Sequence, residues 1–252
     1  STGLIWSHCI LNEEIKNNYD LAGWFYYRED QEDILAKVKD PHVIGFNCFV
    51  WNYKYNKQVA EEIKRRYPDC IIVFGEDRTT FVTPPRARIA DIDAMPSPYL
   101  DGLFDELLEK ADHNYALEST IETTRGCPYS CTFCEIGTKY YSRVKRQSFE
   151  KVKKEIDWIS DHKVEFIYNA DSNFGMFPEH LDITRYMVDK KKETGYPGKH
   201  RCDWAKNKGD KVIPLAKIFT EADMDKGITI ALQSMNPKVL KAIKRQNIDS
   251  GK

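Results

Sequence analysis

The chain has 252 residues, 41% of them hydrophobic and 31% charged, with a formal net charge of −1 at pH 7. So even a balance gives no general attraction to nucleic acid or an acidic membrane surface, and no apolar run approaches the length of a membrane span. Seven cysteines, an odd number in a long chain with no basic-then-apolar leader, argue against a disulfide framework and predict a reducing, cytoplasmic setting.

In chain order, the first readable unit is Val43-Ile44-Gly45-Phe46-Asn47-Cys48-Phe49-Val50-Trp51-Asn52, a buried strand leaving at a polar turn. A helix over about Tyr55 to Tyr67 follows, then a strand from Ile71 to Phe74 ended by Gly75. Cys70, just before that apolar run, reads as a small buried hydrophobe. The aromatic run Trp24-Phe25-Tyr26-Tyr27 has the composition of a base-stacking surface, but a local packing cluster explains it without a ligand. Prolines then accumulate from Thr83-Pro84-Pro85 to Met95-Pro96-Ser97-Pro98, and this change of character divides the chain into a domain over 1–82, a linker over 83–116 and a second domain over 117–252.

The second domain alternates strands with helices, the order of a parallel βαβ architecture. Ser119 to Thr124, rich in β-branched residues, is a strand. Ser148 caps a helix reaching Ser160, with Phe149, Val152, Ile156 and Ile159 at helical spacing. Val164 to Ala170 is the second strand and ends in Asn169-Ala170-Asp171-Ser172-Asn173-Phe174-Gly175. A helix over about Pro178 to Lys192, closed by Gly195, leads to a strand from His200 to Trp204. A helix over about Lys211 to Ala222, a fourth strand from Gly227 to Gln233 and a helix from about Pro237 to Arg245 complete the series. Basic residues from Lys139 to Lys154 interleave with Glu150 and Glu155, which favours a solvated helix face over an RNA surface.

The first of these strands delivers Arg125-Gly126-Cys127-Pro128-Tyr129-Ser130-Cys131-Thr132-Phe133-Cys134, a Cys-x3-Cys-x2-Cys loop. A structural zinc site usually shows two short-spaced Cys pairs or a pair with His, and no second pair is present. A 4Fe-4S cube takes four thiolates, so a three-Cys loop either recruits a distant cysteine or leaves one iron open.

This loop, with Phe133 just before its last cysteine, resembles the signature of the radical S-adenosylmethionine superfamily. The resemblance implies that Cys127, Cys131 and Cys134 hold a 4Fe-4S cluster whose open iron chelates S-adenosylmethionine. One electron then cleaves it to methionine and a 5'-deoxyadenosyl radical. It also implies a partial TIM-like (β/α) barrel with its site at the strand C-termini. On that pattern Asp171 stands in for the acid of a Gly-Gly-Glu-like segment at the methionyl amine, with Asn173 beside it. Asp203, Trp204 and Lys206 face the cofactor or substrate, Gln233 and Ser234 reach the ribose or carboxylate, and Arg245 approaches the carboxylate or caps its helix. Asx turns account for Asp171 and Asn173 without a ligand, and packing accounts for Trp204.

The earlier β-α-β unit resembles, more weakly, the Rossmann-like cobalamin-binding domain of the methyltransferase-like class. That resemblance puts Asn47, Cys48, Trp51 and Gly75 next to a corrin, with no Asp-x-His-x-x-Gly present to ligate cobalt. The stretch Leu232-Gln233-Ser234-Met235 with Lys244-Arg245-Gln246-Asn247 points to the same relatives. Family elements absent from this sequence predict a full-length product longer at both ends. The reading is a radical SAM enzyme, cobalamin-linked, for methylation or rearrangement of an unactivated carbon of a small molecule or peptide, with an electron donor such as flavodoxin or ferredoxin. The alternatives are a tRNA methylthiotransferase, for which three closely placed cysteines of a second cluster are expected in the first domain, where Cys9, Cys48 and Cys70 match the count but not the spacing, and an electron carrier with a fourth ligand such as Cys202.

Overall fold

In the computed structural model, residues 2–25, 29–47, 52–75, 88–110, 116–137, 141–228 and 230–247 are described. The chain divides into two units, Ser1–Arg88 and Ile89–Lys252.

The first unit runs α1 (Thr2–Cys9), α2 (Glu13–Asn18), α3 (Gln31–Lys37), β1 (Val43–Asn47), α4 (Tyr53–Arg66) and β2 (Ile71–Gly75). β1 and β2 pair in parallel, from Val43 opposite Ile71 to Asn47 opposite Gly75. Ile34, Leu35 and Val38, with Val59 and Ile63 of α4 and Cys70, form the core against the Ile44, Phe46 and Ile72 side of the sheet. The strands are not buried as their sequence predicts: Val43, Ile71 and Val73 are 49%, 59% and 50% exposed. An unbroken apolar run does not distinguish a strand covered on one face from one covered on both.

The second unit runs α5 (Asp105–Lys110), β3 (Glu118–Ile121), β4 (Thr124–Arg125), a 3-10 turn (Glu135–Gly137), β5 (Lys145–Arg146), α6 (Phe149–Asp161), β6 (Phe166–Phe174), α7 (Glu179–Thr194), β7 (Lys199–Trp204), α8 (Gly209–Glu221) and α9 (Pro237–Ala242). β3, β6 and β7 form a parallel sheet in the order β3-β6-β7. Its core joins Val152, Ile156 and Ile159 of α6 to Ile167, Met187 of α7 and Phe219 of α8. The α6 cap is as expected, with Ser148 Oγ accepting from Lys151 N at 3.3 Å. Gly195 ends α7 at φ 87, a left-handed conformation that glycine adopts freely, and its N–H donates to the Lys191 carbonyl at 2.8 Å.

Three expectations are corrected. The strand predicted over Ser119–Thr124 stops at Ile121, and Thr124–Arg125 instead pairs antiparallel with β5. β6 extends past Ala170 to Phe174, with a register shift against β7 between Asn169 and Phe174. The fourth strand is absent among the described residues of 227–233. There the chain makes one parallel bridge, His200 to Asp225, and turns away at Gly227 (φ 93). Ile228, Ile230 and Leu232 alternate as a strand would, but each is about half exposed, so no burial rewards pairing.

Much of the predicted linker packs into the second unit. Ile92 and Ser97 are buried. The Asp93 carboxylate accepts from Ser148 N at 2.9 Å, and Lys151 Nζ donates to the carbonyls of Ile92, Asp93 and Met95. The Tyr99 hydroxyl donates to Thr120 O at 2.8 Å and accepts from Thr120 N at 3.0 Å. Among the described residues, no helix is long and apolar enough to cross a membrane.

Candidate active site

β4 leads directly into the cysteine loop. Gly126, at φ 112, takes a backbone conformation that side-chain-bearing residues rarely adopt. Cys127 N then donates to Tyr141 O at 2.9 Å, and Thr132 N to Ile243 O at 3.2 Å just beyond α9. Within the loop, Cys134 N donates to Cys131 O and Gly137 N to Cys134 O. A Cβ on Gly137 would lie 2.7 Å from Cys131 O, so only glycine permits this fold-back.

The three thiols are free; Cys127 and Cys131 are buried and Cys134 is half-buried. Among the described residues no three His, Cys, Asp or Glu side chains converge as a single metal ion requires. A cubane makes no such demand, because each thiolate meets its own iron. Soft thiolates on a braced loop are the donor set that an iron-sulfur cluster takes.

Asn173, 4% exposed, donates from Nδ2 to Cys127 Sγ at 3.2 Å. Lys206 Nζ donates to Asn173 Oδ1 and to Ser172 O, each at 3.2 Å. Cys127, Asn173 and Lys206 are therefore one contact chain. Trp204, at the end of β7, packs in the core against Phe174 and Phe219.

Asp171 is fully buried and serves the loop's entrance. Its Oδ1 accepts from Thr123 N at 2.7 Å and Thr124 N at 2.9 Å, and its Oδ2 accepts from the Thr123 hydroxyl. Burial nevertheless pushes its carboxyl up to about 6. His180 Nδ1 accepts from Gly175 N at 2.6 Å, which leaves the ring proton on Nε2, 3.7 Å from Asp171 Oδ2. Burial holds His180 down to about 4, so this contact is not an ion pair near neutrality.

On the other side of the loop, the Tyr129 hydroxyl donates to Asn207 Oδ1, and Asn207 Nδ2 donates to Gln246 Oε1 at 3.0 Å. Burial, then the neighbouring Cys127, pushes the Tyr129 phenol up. Sequence reasoning did not single out Tyr129 or Asn207, although one lies inside the cysteine motif and the other follows Lys206. Arg245 is 6% exposed and donates to Ala231 O, which secures the segment entering α9.

The remaining predicted residues are more dispersed. Phe133 is 54% exposed and Gln233 is exposed. Ser234 closes a turn, its Oγ accepting from Asn236 N at 3.1 Å and its carbonyl from Asn247 Nδ2 at 2.8 Å. Cys202 is register partner to Asn169 and sits in the core, where burial raises its thiol. In the first unit, Asn47 and Gly75 end their strands side by side, and the side-chain amides of Asn52 and Asn56 both donate to Asn47 O. Cys48 and Trp51 lie outside the described residues.

Among known proteins, the chain is 28% identical over 98% of its length to the 2-(S-pantetheinyl)-carbapenam-3-carboxylate methyltransferase of Streptantibioticus cattleyicolor, covering 44% of that protein. It is likewise 28% identical over 98% of its length to the cobalamin-dependent radical SAM methyltransferase TokK of Streptomyces tokunonensis, again covering 44%. The chain thus spans under half the length of these curated relatives. A solved structure of the cobalamin-dependent S-adenosylmethionine radical enzyme OxsB, with aqua-cobalamin bound, shares the fold at a TM-score of 0.53 and 16% identity, over 86% of this chain and 39% of that one. The family model described as Radical SAM superfamily matches residues 121–250, from the end of β3 through the cysteine loop to beyond α9. More than half of the sequence falls within that match, and the chain belongs to the radical SAM superfamily.

Proposed function

We propose that this chain carries the S-adenosylmethionine-cleaving site of a cobalamin-dependent methyltransferase acting on a small molecule. The observation that carries the reading is the braced loop of Cys127, Cys131 and Cys134, with Cys127 against Asn173 near the end of β6. Those thiolates would hold a 4Fe-4S cluster to which S-adenosylmethionine would bind. The bound cluster supplies the electron that cleaves S-adenosylmethionine to methionine and a 5'-deoxyadenosyl radical.

The chain's own residues orient and shield this site. Asp171 fixes the entrance of the loop through Thr123 and Thr124, in place of the methionyl-amine role that the resemblance implies. Tyr129, Asn207 and Gln246 tie the loop to the segment after α9. Phe133, Gln233 and Ser234 are the exposed and half-buried groups left for S-adenosylmethionine or substrate. A reductant of the flavodoxin or ferredoxin class delivers the electron.

The names of the two relatives, both methyltransferases and one of a carbapenam carboxylate, support methyl transfer to a small molecule. For cobalamin, the supporting feature is the first unit's parallel β-α-β, a partial Rossmann-like arrangement. Asn47 and Gly75 lie together at its C-terminal edge, the position at which ligands bind in open α/β sheets. Anaerobic reconstitution with iron and sulfide, reduction with S-adenosylmethionine and chromatography for 5'-deoxyadenosine test the reading. Deoxyadenosine that disappears in Cys131→Ala is the expected result. A cluster that forms but cleaves nothing would return the electron-carrier reading.

A further inference from the structure

We propose that Asn173 and Lys206 form a relay that raises the reduction potential of the cluster held by Cys127, an inference that rests on the function proposed above. Lys206 bears only donors, so the oxygen of the Asn173 amide must face its ammonium and the NH2 must face the sulfur. The ammonium draws electron density toward Oδ1 and strengthens the N–H as a donor to Sγ. Ser172 O holds the same ammonium, which fixes the direction of the relay.

When the cluster takes up one electron from its reductant, no bond forms or breaks and the sulfur ligands become more negative. A buried amide donor backed by a cation favours that state, and hydrogen bonds to the sulfurs are a principal control of cluster potential. Asn173 and Lys206 are positioning residues here: they act through Cys127 and not on the reacting atoms. Neither the strand pattern nor the cysteine spacing predicts the pairing, because Asn173 and Lys206 belong to different β-strand ends and meet only in the fold.

The test is a potentiometric titration of the reconstituted cluster in the full chain, followed by electron paramagnetic resonance, with iron and sulfide content measured on each sample. Asn173→Leu removes the donor and is expected to cut the reduced-to-oxidised ratio at a fixed solution potential about tenfold, roughly 59 mV for a one-electron couple. Lys206→Met retains the amide and is expected to lower the ratio in the same direction by less, and Lys206→Arg to restore it. Lys206→Met and Lys206→Arg decide the matter if Asn173→Leu assembles no cluster. Equal potentials in parent, Lys206→Met and Lys206→Arg at equal cluster content overturn the relay and leave the proposed function standing. A parent protein that assembles no cluster overturns both.

Discussion

His200 and Asp171 show how single buried groups set the stability of the second unit. His200 stacks on Phe219 at 4.3 Å, its Nε2 has no hydrogen-bond partner among the described residues, and burial holds its pKa down to about 3. Its neutral form is favoured by folding, so its contribution to stability is complete above the unfolded value of about 6.5 and is lost as pH falls toward 3. His200→Phe keeps the stacking and removes the titration. Its stability, followed by chemical denaturation, is expected to fall less with acid than that of the parent, by about 1.4 kcal/mol per pH unit below 6.5. Asp171 answers to a different cost. Asp171→Ala leaves two buried N–H groups unpaired, and about 2–4 kcal/mol of stability is expected to go with them. Asp171→Asn, which keeps an acceptor, is expected to lose less than half as much in the same denaturation experiment.

Among the elements, the cysteine loop depends most on backbone geometry. Gly137 presses against Cys131 O with no room for a methyl group. Gly137→Ala is therefore expected to reduce iron and sulfide bound per chain at least severalfold while the far-ultraviolet circular dichroism stays unchanged. Equal cluster content would show that the fold-back is dispensable. The two sheet faces of the first unit make a parallel contrast. Ile63, 1% exposed, fills the α4 side of β1 and β2, whereas Ile71 and Val73 project from the other face. Ile63→Ala is expected to cost about 2–5 kcal/mol and Val73→Thr within about 0.5 kcal/mol of zero, read as shifts in denaturation midpoint.

For the whole molecule, two cores that share no residue among those described predict two unfolding events. Denaturation is expected to resolve two transitions, with Ile63→Ala moving one and His200→Phe the other. A single transition shifted by both variants would show that the units unfold as one.

By itself, the sequence determined the α/β alternation, the capped α6, the Gly195 stop of α7 and the three cysteines, because each depends on spacing within one stretch of chain. The tertiary structure decided the rest. Residues 227–233 carry a strand's alternation, yet whether a strand forms depends on a neighbour to pair with and a face to bury, and neither is local. Asp171 and Asn173 look alike in sequence as polar residues near a strand end. One is taken by Thr123 and Thr124 and the other by Cys127, because β6 continues past Ala170 beside the segment entering the loop. Lys206 gained its partner in the same way, from a strand more than thirty residues distant. Hydrogen bonds between separated segments depend on the register of the sheet, so a reading along the chain supplied the chemical groups and the tertiary structure supplied their pairing.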